Sequence, residues 1–196
     1  NFGNYKDVRC FGKTEFSQLQ DDFLVNIANG DINTFWLALR RNGFAKLTSD
    51  GHAYELKSYR LPDNYAGIGT NDFYQSEDDI LWIATSGVGL WSMDLKTNTY
   101  EAHMRSTEDT LGISGNYIFS IMEDHNGKLW LATADGGLCQ MDQNSKKFDC
   151  YTFNERDDNS ISSNVILSVF EDSHHRIWAS SIDGLNLLQR NGQFKR

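Results

Sequence analysis

The most regular feature of the sequence is a short apolar segment built around a tryptophan, which recurs along the chain. A bulky apolar residue precedes the tryptophan each time, at Phe35-Trp36, Leu81-Trp82, Leu129-Trp130 and Ile177-Trp178. The four tryptophans are 46, 48 and 48 residues apart. The segments are apolar almost without alternation, which favours strands that are covered on both faces of their sheet. The pattern therefore predicts four copies of one unit of about 48 residues.

The third copy shows how a unit is built. Its apolar segments and turn residues predict four short strands, at about 117–122, 128–133, 137–141 and 147–153. Asn126-Gly127 supplies the positive φ that a tight first hairpin needs, and Asp135-Gly136-Gly137 marks the next turn. Four strands per unit at this period are typical of a β-propeller, whereas solenoid repeats carry helices or fewer strands. We predict an all-β fold of about four four-stranded antiparallel blades.

The repeat also predicts where the blades begin and end. The expected blades are residues 23–60, 61–105, 106–154 and 155–196, with residues 1–22 as the outer strand of a preceding blade plus a connector. Val8–Phe11 aligns with the fourth strand of the third unit, and the fourth strand of the last unit begins at Phe194 and is incomplete. Closed propellers have four to eight blades. We predict a fragment of a larger propeller; the alternative is a four-bladed ring whose first strand completes the last blade.

Composition and charge exclude several classes of function. The net charge is −9, with 27 acidic and 18 basic residues and no long run of one sign, so the basic surface of a nucleic-acid binder is missing. No segment has the roughly 20 apolar residues that cross a bilayer, which leaves membrane contact to segments outside this chain. Phosphate-binding, nucleophile-elbow and Cys-x-x-Cys motifs are absent as well. We expect no catalytic residues, no cofactor and no metal site.

Two of the three cysteines are expected to face each other. If the last hairpin of the third unit pairs Met141 with Phe148, the same register places Cys139 opposite Cys150. Cross-strand disulfides occur but are geometrically demanding, so we expect packed thiols, with a disulfide as the alternative.

The motifs of the third and fourth units resemble a known family, the two-component-regulator propeller repeat. Its pattern is an Asn-x-Val start, an apolar strand ending in Glu-Asp, then Gly-x-Leu-Trp and a glycine-rich Gly-Gly-Leu stretch. The matching positions are Ser163–Asp172 with Ile177-Trp178 in the fourth unit, and Asn116, Glu123-Asp124, Gly127–Trp130, Thr133 and Gly136–Leu138 in the third. The chain departs from the pattern at Ala84, Ala132, Asn29-Gly30 and Glu77–Asp79.

This resemblance implies a function that the residues alone do not. Members of the family form large propellers in the periplasmic sensor region of membrane-bound bacterial regulators, many of them hybrid histidine kinases that respond to carbohydrates. The resemblance thus implies a periplasmic, non-catalytic segment that senses a small molecule or oligosaccharide, packs against other blades, belongs to a homodimer and has its kinase or other output outside this chain. A scaffold for protein partners and a glycan-cleaving enzyme are the alternatives.

Most of the distinctive side chains are better explained by structure than by chemistry. The Leu-Trp pairs recur in every unit inside a buried strand, which favours packing between blades over sugar stacking. Trp91 has different counterparts in the other units, Ala45, Cys139 and Asn186. Its pairing with the small Ala102 across a hairpin nevertheless favours core packing for it too. The Glu-Asp pairs at 77–78, 123–124 and 171–172 recur with the turns, so they are predicted to cap turns rather than to act as acid and base. His174-His175 has no third ligand at metal spacing and is predicted to lie in a solvated turn.

Ligand binding is expected in the loops of one face. Propeller ligands usually bind near the central channel, on loops that the rigid blades hold in place. The strand order puts the connections between blades and the loops between second and third strands on the same face. The candidate ligand-binding residues on these loops are Arg40, Arg41, Tyr65, Asn116, Tyr117, Asp135, Asn164 and Asp183.

Overall fold

The computed structural model of the 196-residue chain describes residues 16, 23–41, 43–108 and 112–196. These residues form four antiparallel sheets of four strands, as predicted from the repeat. The strands in chain order are β1 Leu24–Asn29, β2 Thr34–Leu39, β3 Phe44–Ser49, β4 Tyr54–Tyr59, β5 Thr70–Gln75, β6 Ile80–Thr85, β7 Leu90–Asp94, β8 Thr99–His103, β9 Ile118–Glu123, β10 Lys128–Thr133, β11 Leu138–Asp142, β12 Phe148–Tyr151, β13 Ile166–Glu171, β14 Ile177–Ser181, β15 Gly184–Leu188 and β16 Phe194–Lys195.

Each sheet is one blade of four consecutive strands, here called blades 1 to 4 in chain order. The first strands of neighbouring blades, β1, β5, β9 and β13, contact one another in succession, so they form the inner edge of the assembly. A single turn of 3-10 helix, Asp63–Tyr65, lies between blades 1 and 2. Among the described residues, no helix has the length and apolar character needed to cross a membrane. The strand predicted at Val8–Phe11 and the proposed connector lie outside the described residues, apart from Phe16.

The hydrophobic core consists of the interfaces between blades. One buried cluster joins blades 1 and 2, a second joins blades 2 and 3, and a third joins blades 3 and 4. The repeated tryptophans Trp36, Trp82 and Trp130 are at most 3% exposed and lie in these clusters. Burial of an aromatic ring between two sheets explains why the second strands are apolar on both faces. The predicted packing between blades is therefore confirmed for these three tryptophans, whereas Trp178 of blade 4 is only partly buried and lies outside the clusters.

The indole nitrogen of each repeated tryptophan donates a hydrogen bond, and the acceptor differs between blades. In blades 3 and 4 it is the aspartate of the Glu-Asp pair, with Trp130 Nε1 at 2.8 Å from Asp124 Oδ2 and Trp178 Nε1 at 2.8 Å from Asp172 Oδ2. The other carboxylate oxygen of Asp124 accepts from the backbone N–H groups of Asn126 and Lys128. These two aspartates therefore cap the turn as predicted and also anchor the tryptophan.

In blades 1 and 2 the indole N–H of the repeated tryptophan donates to a glutamine instead of an aspartate. Trp36 donates to Gln75 and Trp82 donates to Gln143. Ser76 occupies the position in blade 2 that Asp124 has in blade 3, so the pair Glu77-Asp78 is not equivalent to the other two pairs. A buried indole N–H needs a partner, and a glutamine from another strand supplies it where the aspartate is missing.

The prediction for Cys139 and Cys150 was right in register and wrong in chemistry. Strands β11 and β12 pair Met141 with Phe148 and Cys139 with Cys150, as expected. The two cysteines form a disulfide instead of remaining thiols. Directly opposed residues of an antiparallel pair have close Cβ atoms, so the sulfurs meet without any displacement of the backbone. Trp91 pairs with Ala102 and is 4% exposed, which confirms its predicted packing role.

His103 is an ionisable group placed inside an interface between blades. Its ring centroid is 5.8 Å from that of Trp82 in blade 2 and 6.1 Å from that of Phe148 in blade 3. Its Nε2 atom is buried and has no hydrogen-bond partner in the part of the chain that the structure describes. Burial lowers the pKa of His103 below its ordinary 6.5, and the nearby carboxylate of Glu101 opposes this only in part.

The lowered pKa of His103 predicts a loss of stability in acid. The unfolded chain binds the proton more strongly than the folded chain, so the free energy of unfolding should fall as pH decreases through and below about 6.5. Replacing His103→Phe should flatten this pH dependence, which chemical denaturation at a series of pH values will measure. The exposed His52 provides the control, since His52→Gln should retain the full slope. An unchanged slope in His103→Phe would contradict the prediction.

Candidate functional site

The candidate site is a cavity of about 560 Å³ at the inner edge of the four blades. Its walls come from all four first strands and from the loops of one face, the face on which the sequence predicted ligand binding. The lining residues are Val25, Asn26, Arg40, Asn71, Ser86, Tyr117, Phe119 and Leu167. The cavity is therefore a shared feature of several blades rather than a pocket within one of them.

Four of these lining residues occupy the same position of the repeat. In each blade the register between the first and second strands shifts by one residue, and the residue passed over is Val25, Asn71, Phe119 or Leu167. A β-bulge of this kind leaves one residue unpaired and turns its side chain in a new direction. We call these four residues the bulge ring. Because an apolar, an amide, an aromatic and another apolar side chain occupy equivalent places, the wall of the cavity differs from blade to blade.

Two of the predicted ligand-binding residues, Arg40 and Tyr117, are brought together at this cavity. Arg40 follows β2 and is exposed, while Tyr117 precedes β9 and is 37% exposed. The Tyr117 ring lies 5.0 Å from the ring of Phe119, which orients it along the wall. Within the described part of the chain, neither the guanidinium group of Arg40 nor the hydroxyl of Tyr117 has a hydrogen-bond partner. Both groups are thus available to a polar ligand.

A network of polar side chains behind the cavity ties the first strands together. Asp72 Oδ1 accepts a hydrogen bond of 2.8 Å from Asn26 Nδ2 in blade 1, and Asp72 Oδ2 accepts one of 3.0 Å from the backbone N–H of Ile121 in blade 3. Burial raises the pKa of Asp72, and the backbone N–H groups of Ile121 and Phe73 oppose that shift. Asn71 donates to the carbonyl of Ile118 at 2.7 Å. The inner edge is accordingly a rigid support for the bulge ring.

Asn116 and Asn164, also predicted to bind ligand, serve the backbone in the structure. The side-chain oxygen of Asn116 accepts from the N–H of Arg105, and that of Asn164 accepts from the N–H of Phe153. Their own carbonyl oxygens accept from Gly89 and Gly137. Each asparagine thus fastens the end of one blade to the start of the next. Their side chains are not among the lining residues of the cavity, and their amide oxygens are already bonded to the backbone.

The remaining predicted residues are dispersed. Tyr65 packs edge-on against Trp91, with ring centroids 5.1 Å apart, and belongs to the interface between blades 1 and 2. Arg41, Asp135 and Asp183 are exposed in loops of the predicted face but do not line the cavity. For these three residues a role in ligand binding remains a prediction.

The bulge ring was missed by sequence reasoning although a signal for it exists. Aligning the four units places Val25, Asn71, Phe119 and Leu167 in one column, which varies in chemistry, whereas the column before it holds only leucine, threonine and isoleucine. A bulge cannot be recognised from such a column alone. Regular alternation along a strand assigns each residue to one face of the sheet, and a shift of one residue reverses that assignment.

A second group of polar residues lies at a different edge of the assembly. His125, Glu171 and His175, from blades 3 and 4, place their side-chain ligand atoms within 4.8 Å of one another. His175 lies exposed between β13 and β14, in agreement with the predicted solvated turn. Its neighbours in this group were not predicted, because they come from separate turns that meet only in the folded chain.

Comparison with known proteins agrees with the fold and the repeat. The four stacked four-stranded sheets define a segment of a β-propeller. Residues 112–135, within and before blade 3, match the family described as "Two component regulator propeller". The resemblance predicted from the motifs of the third unit is thus confirmed, and the chain contains a repeat of that family. No curated protein matches the sequence.

Solved structures show the same architecture. The extracellular domain of the one component system BT4673 from B. thetaiotaomicron has a TM-score of 0.69 at 18% identity, covering 95% of this chain and 23% of that one. The extracellular domain of the hybrid two component system BT3049 from the same organism has a TM-score of 0.57 at 18% identity, covering 88% and 29%. Virginiamycin B lyase from Staphylococcus aureus has a TM-score of 0.67 at 15% identity, covering 90% and 55%.

These similarities establish the fold. At 15–18% identity they include extracellular domains of a one component and a hybrid two component system as well as an enzyme, so the architecture by itself does not select a function. The chain spans about a quarter of the length of the two B. thetaiotaomicron domains. This is consistent with a fragment of a larger propeller.

Proposed function

We propose that this chain is a non-catalytic part of an extracytoplasmic sensor propeller, which contributes one wall of a binding site for a small polar ligand of the carbohydrate class. The observation that carries the proposal is the regulator-propeller repeat at residues 112–135. The similarity in fold to the extracellular domains of BT4673 and BT3049 supports it. The disulfide between Cys139 and Cys150 supports an oxidising compartment outside the cytoplasm, since such bonds are rare in reducing compartments.

The chemistry of the cavity suits recognition of a polar ligand. Arg40 offers a fixed cation with several N–H donors, and Tyr117 offers a hydroxyl beside an aromatic face. Phe119 adds a second aromatic surface on which the apolar face of a sugar ring can pack. Among the described lining residues there is no pair of carboxylates and no nucleophile beside a base, which supports binding without turnover.

The proposal predicts that the affinity for the ligand depends on Arg40 and Tyr117. The chain is screened by thermal denaturation against a panel of oligosaccharides, and any saccharide that raises the midpoint is titrated by calorimetry. Arg40→Gln and Tyr117→Phe should each weaken its binding by about tenfold, the effect of one lost hydrogen bond in a binding site. Arg156→Gln is the matched control, since Arg156 is an exposed arginine in a loop of the same face outside the cavity.

Two results would contradict the proposal. One is binding that survives both substitutions at the cavity unchanged, and the other is turnover of a saccharide by the chain. The sensor role is tested separately by reading the gene on both sides of this segment. A transmembrane span followed by a signalling output is expected; a complete reading frame with neither would rule out the sensor role even if a saccharide binds.

A further inference from the structure

Three side chains with metal-ligating atoms meet where the turns of blades 3 and 4 adjoin. His125 lies in the turn between β9 and β10, Glu171 ends β13, and His175 lies in the turn between β13 and β14. The two histidine side chains are 40% and 59% exposed, and that of Glu171 is 15% exposed. The group is therefore open to solvent on the histidine side and fixed on the carboxylate side.

The geometry centres on a single oxygen atom. His175 Nδ1 is 3.3 Å from Glu171 Oε1, and His125 Nδ1 contacts the same oxygen. The two imidazole rings are tilted by 31° to each other, with centroids 4.0 Å apart. Because a carboxylate oxygen only accepts hydrogen bonds, either protons or a cation must lie between it and the two nitrogens. Two atoms bound to one tetrahedral zinc ion are about 3.3 Å apart, which the spacing of His175 and Glu171 already matches.

Glu171 is held by a contact that recurs between blades. Its Oε2 accepts a 2.9 Å hydrogen bond from the backbone N–H of His125, so it reaches back to the turn of the preceding blade. Gln75, at the equivalent position of blade 2, likewise reaches back to Asp31 in the turn of blade 1, at 2.9 Å. The repeated architecture thus positions the carboxylate independently of any ion.

The conformation of the turn does not require a histidine at position 175. It has φ 59°, and the equivalent positions of the other blades also have positive φ but hold Asn33, Asp79 and Gly127. Those are the residue types that adopt this conformation at little cost. The fourth blade alone places an imidazole there, opposite the imidazole of His125.

The surroundings leave room for an ion and a water ligand. The group borders a cavity of about 880 Å³, which gives a route of entry. The neighbouring charges Asp172 and Arg176 are paired with each other at 2.6 Å, so Asp172 is not a fourth ligand. Two imidazoles and one carboxylate with an open position form a donor set typical of zinc.

We propose that His125, Glu171 and His175 bind a divalent transition-metal ion of the zinc type and so link the turns of blades 3 and 4. At each histidine the ion takes the place of the proton between Nδ1 and the carboxylate, and the bound imidazole is neutral with its single proton on Nε2. An imidazole that was doubly protonated releases one proton to solvent, whereas a neutral one moves its proton from Nδ1 to Nε2. Imidazole ligands favour zinc and copper, whereas Mg²⁺ and Ca²⁺ prefer sites made of oxygen alone. The site is separate from the cavity at the inner edge and does not depend on the proposed function.

Calorimetric titration with Zn²⁺ alone tests the site. All proteins carry Cys10→Ser, so that this cysteine cannot compete for zinc. One ion per chain is expected to bind. His175→Gly should weaken zinc binding by more than about 100-fold. Loss of an outer-shell partner already costs up to about 100-fold in metal affinity, and His175 is a direct ligand. This variant should fold normally because blade 3 has Gly127 at the same position. His174→Gln, one residue away, is the matched control and should bind as the parent does.

Thermal denaturation distinguishes a specific zinc site from nonspecific binding of Zn²⁺ to exposed histidines. Zn²⁺ should raise the unfolding midpoint of the parent and of His174→Gln but not that of His175→Gly or His125→Gln. Mg²⁺ should produce no shift. Equal binding by His175→Gly and the parent, equal losses in His174→Gln and His175→Gly, or an equal response to Mg²⁺ would each overturn the proposal.

Discussion

Replacing Trp130→Ala is expected to lower the free energy of unfolding by about 3–5 kcal/mol, the cost of truncating a large buried aromatic side chain. Trp130 is 3% exposed and packs into the cluster between blades 3 and 4, together with Val169 and Ile177. Its ring stacks on that of Tyr151 with centroids 6.2 Å apart. The truncation leaves a cavity between two sheets whose strands cannot close the gap without losing their own register.

The repeat supplies a matched control for this effect. Trp178 has the same position in blade 4 and the same 2.8 Å hydrogen bond to an aspartate, but it is only partly buried. Phe170 and Leu185, near Trp178 on blade 4, are 63% and 57% exposed. Trp178→Ala should therefore lose mainly the hydrogen bond, about 1–2 kcal/mol.

Urea denaturation of the two variants measures the difference. A larger loss in Trp130→Ala isolates the contribution of packing between blades from that of the shared aspartate bond. Equal losses in both variants would show that the tryptophan stabilises its own blade and that the interface contributes little.

Removing the disulfide is the change with the second largest expected effect. The bond closes a loop between residues 11 apart in sequence, and closing a loop of this size restricts the unfolded chain. The double replacement Cys139→Ala and Cys150→Ala is expected to lower the free energy of unfolding by about 2–3 kcal/mol. Cys139 is fully buried, and alanine avoids leaving a polar atom there without a partner.

Reductant distinguishes the disulfide from packing of two thiols. Dithiothreitol should destabilise the parent chain and leave the double variant unchanged. Alkylation of the unfolded parent without reductant should modify neither Cys139 nor Cys150, which mass spectrometry of its peptides will show. If both cysteines are alkylated, or if the parent is insensitive to reductant, the bond does not stabilise the protein.

Much of the fold could be predicted because it depends on local pattern. The tryptophan spacing predicted four units, and strand β10 begins and ends where its apolar segment predicts, at Lys128 and Thr133. The hairpin that pairs Cys139 with Cys150 was also correct in register, because a short antiparallel hairpin leaves few alternatives. The predicted fourth strand of that unit is shorter, Phe148–Tyr151, since the residues around it belong to turns and to the connection between blades.

The site was predicted only in part. Arg40 and Tyr117 do line the cavity, since the face that carries a propeller's loops follows from the strand order. Asn116 was chosen from the same loop positions, yet its amide is used by the backbone N–H of Arg105. Residue type and loop position do not reveal whether a side chain is already occupied by a neighbouring strand.

The sequence by itself determined the repeat, the strands and, apart from the β-bulges, the pairing within each blade, because these depend on contacts between residues close together along the chain. Tertiary structure alone decided what happens between blades. The meeting of the four bulge residues at one cavity joins the first strands of different blades, and the approach of His125 to Glu171 joins residues 46 apart. Such contacts depend on how twisted sheets stack, and the sequence pattern of a single blade carries no information about that stacking.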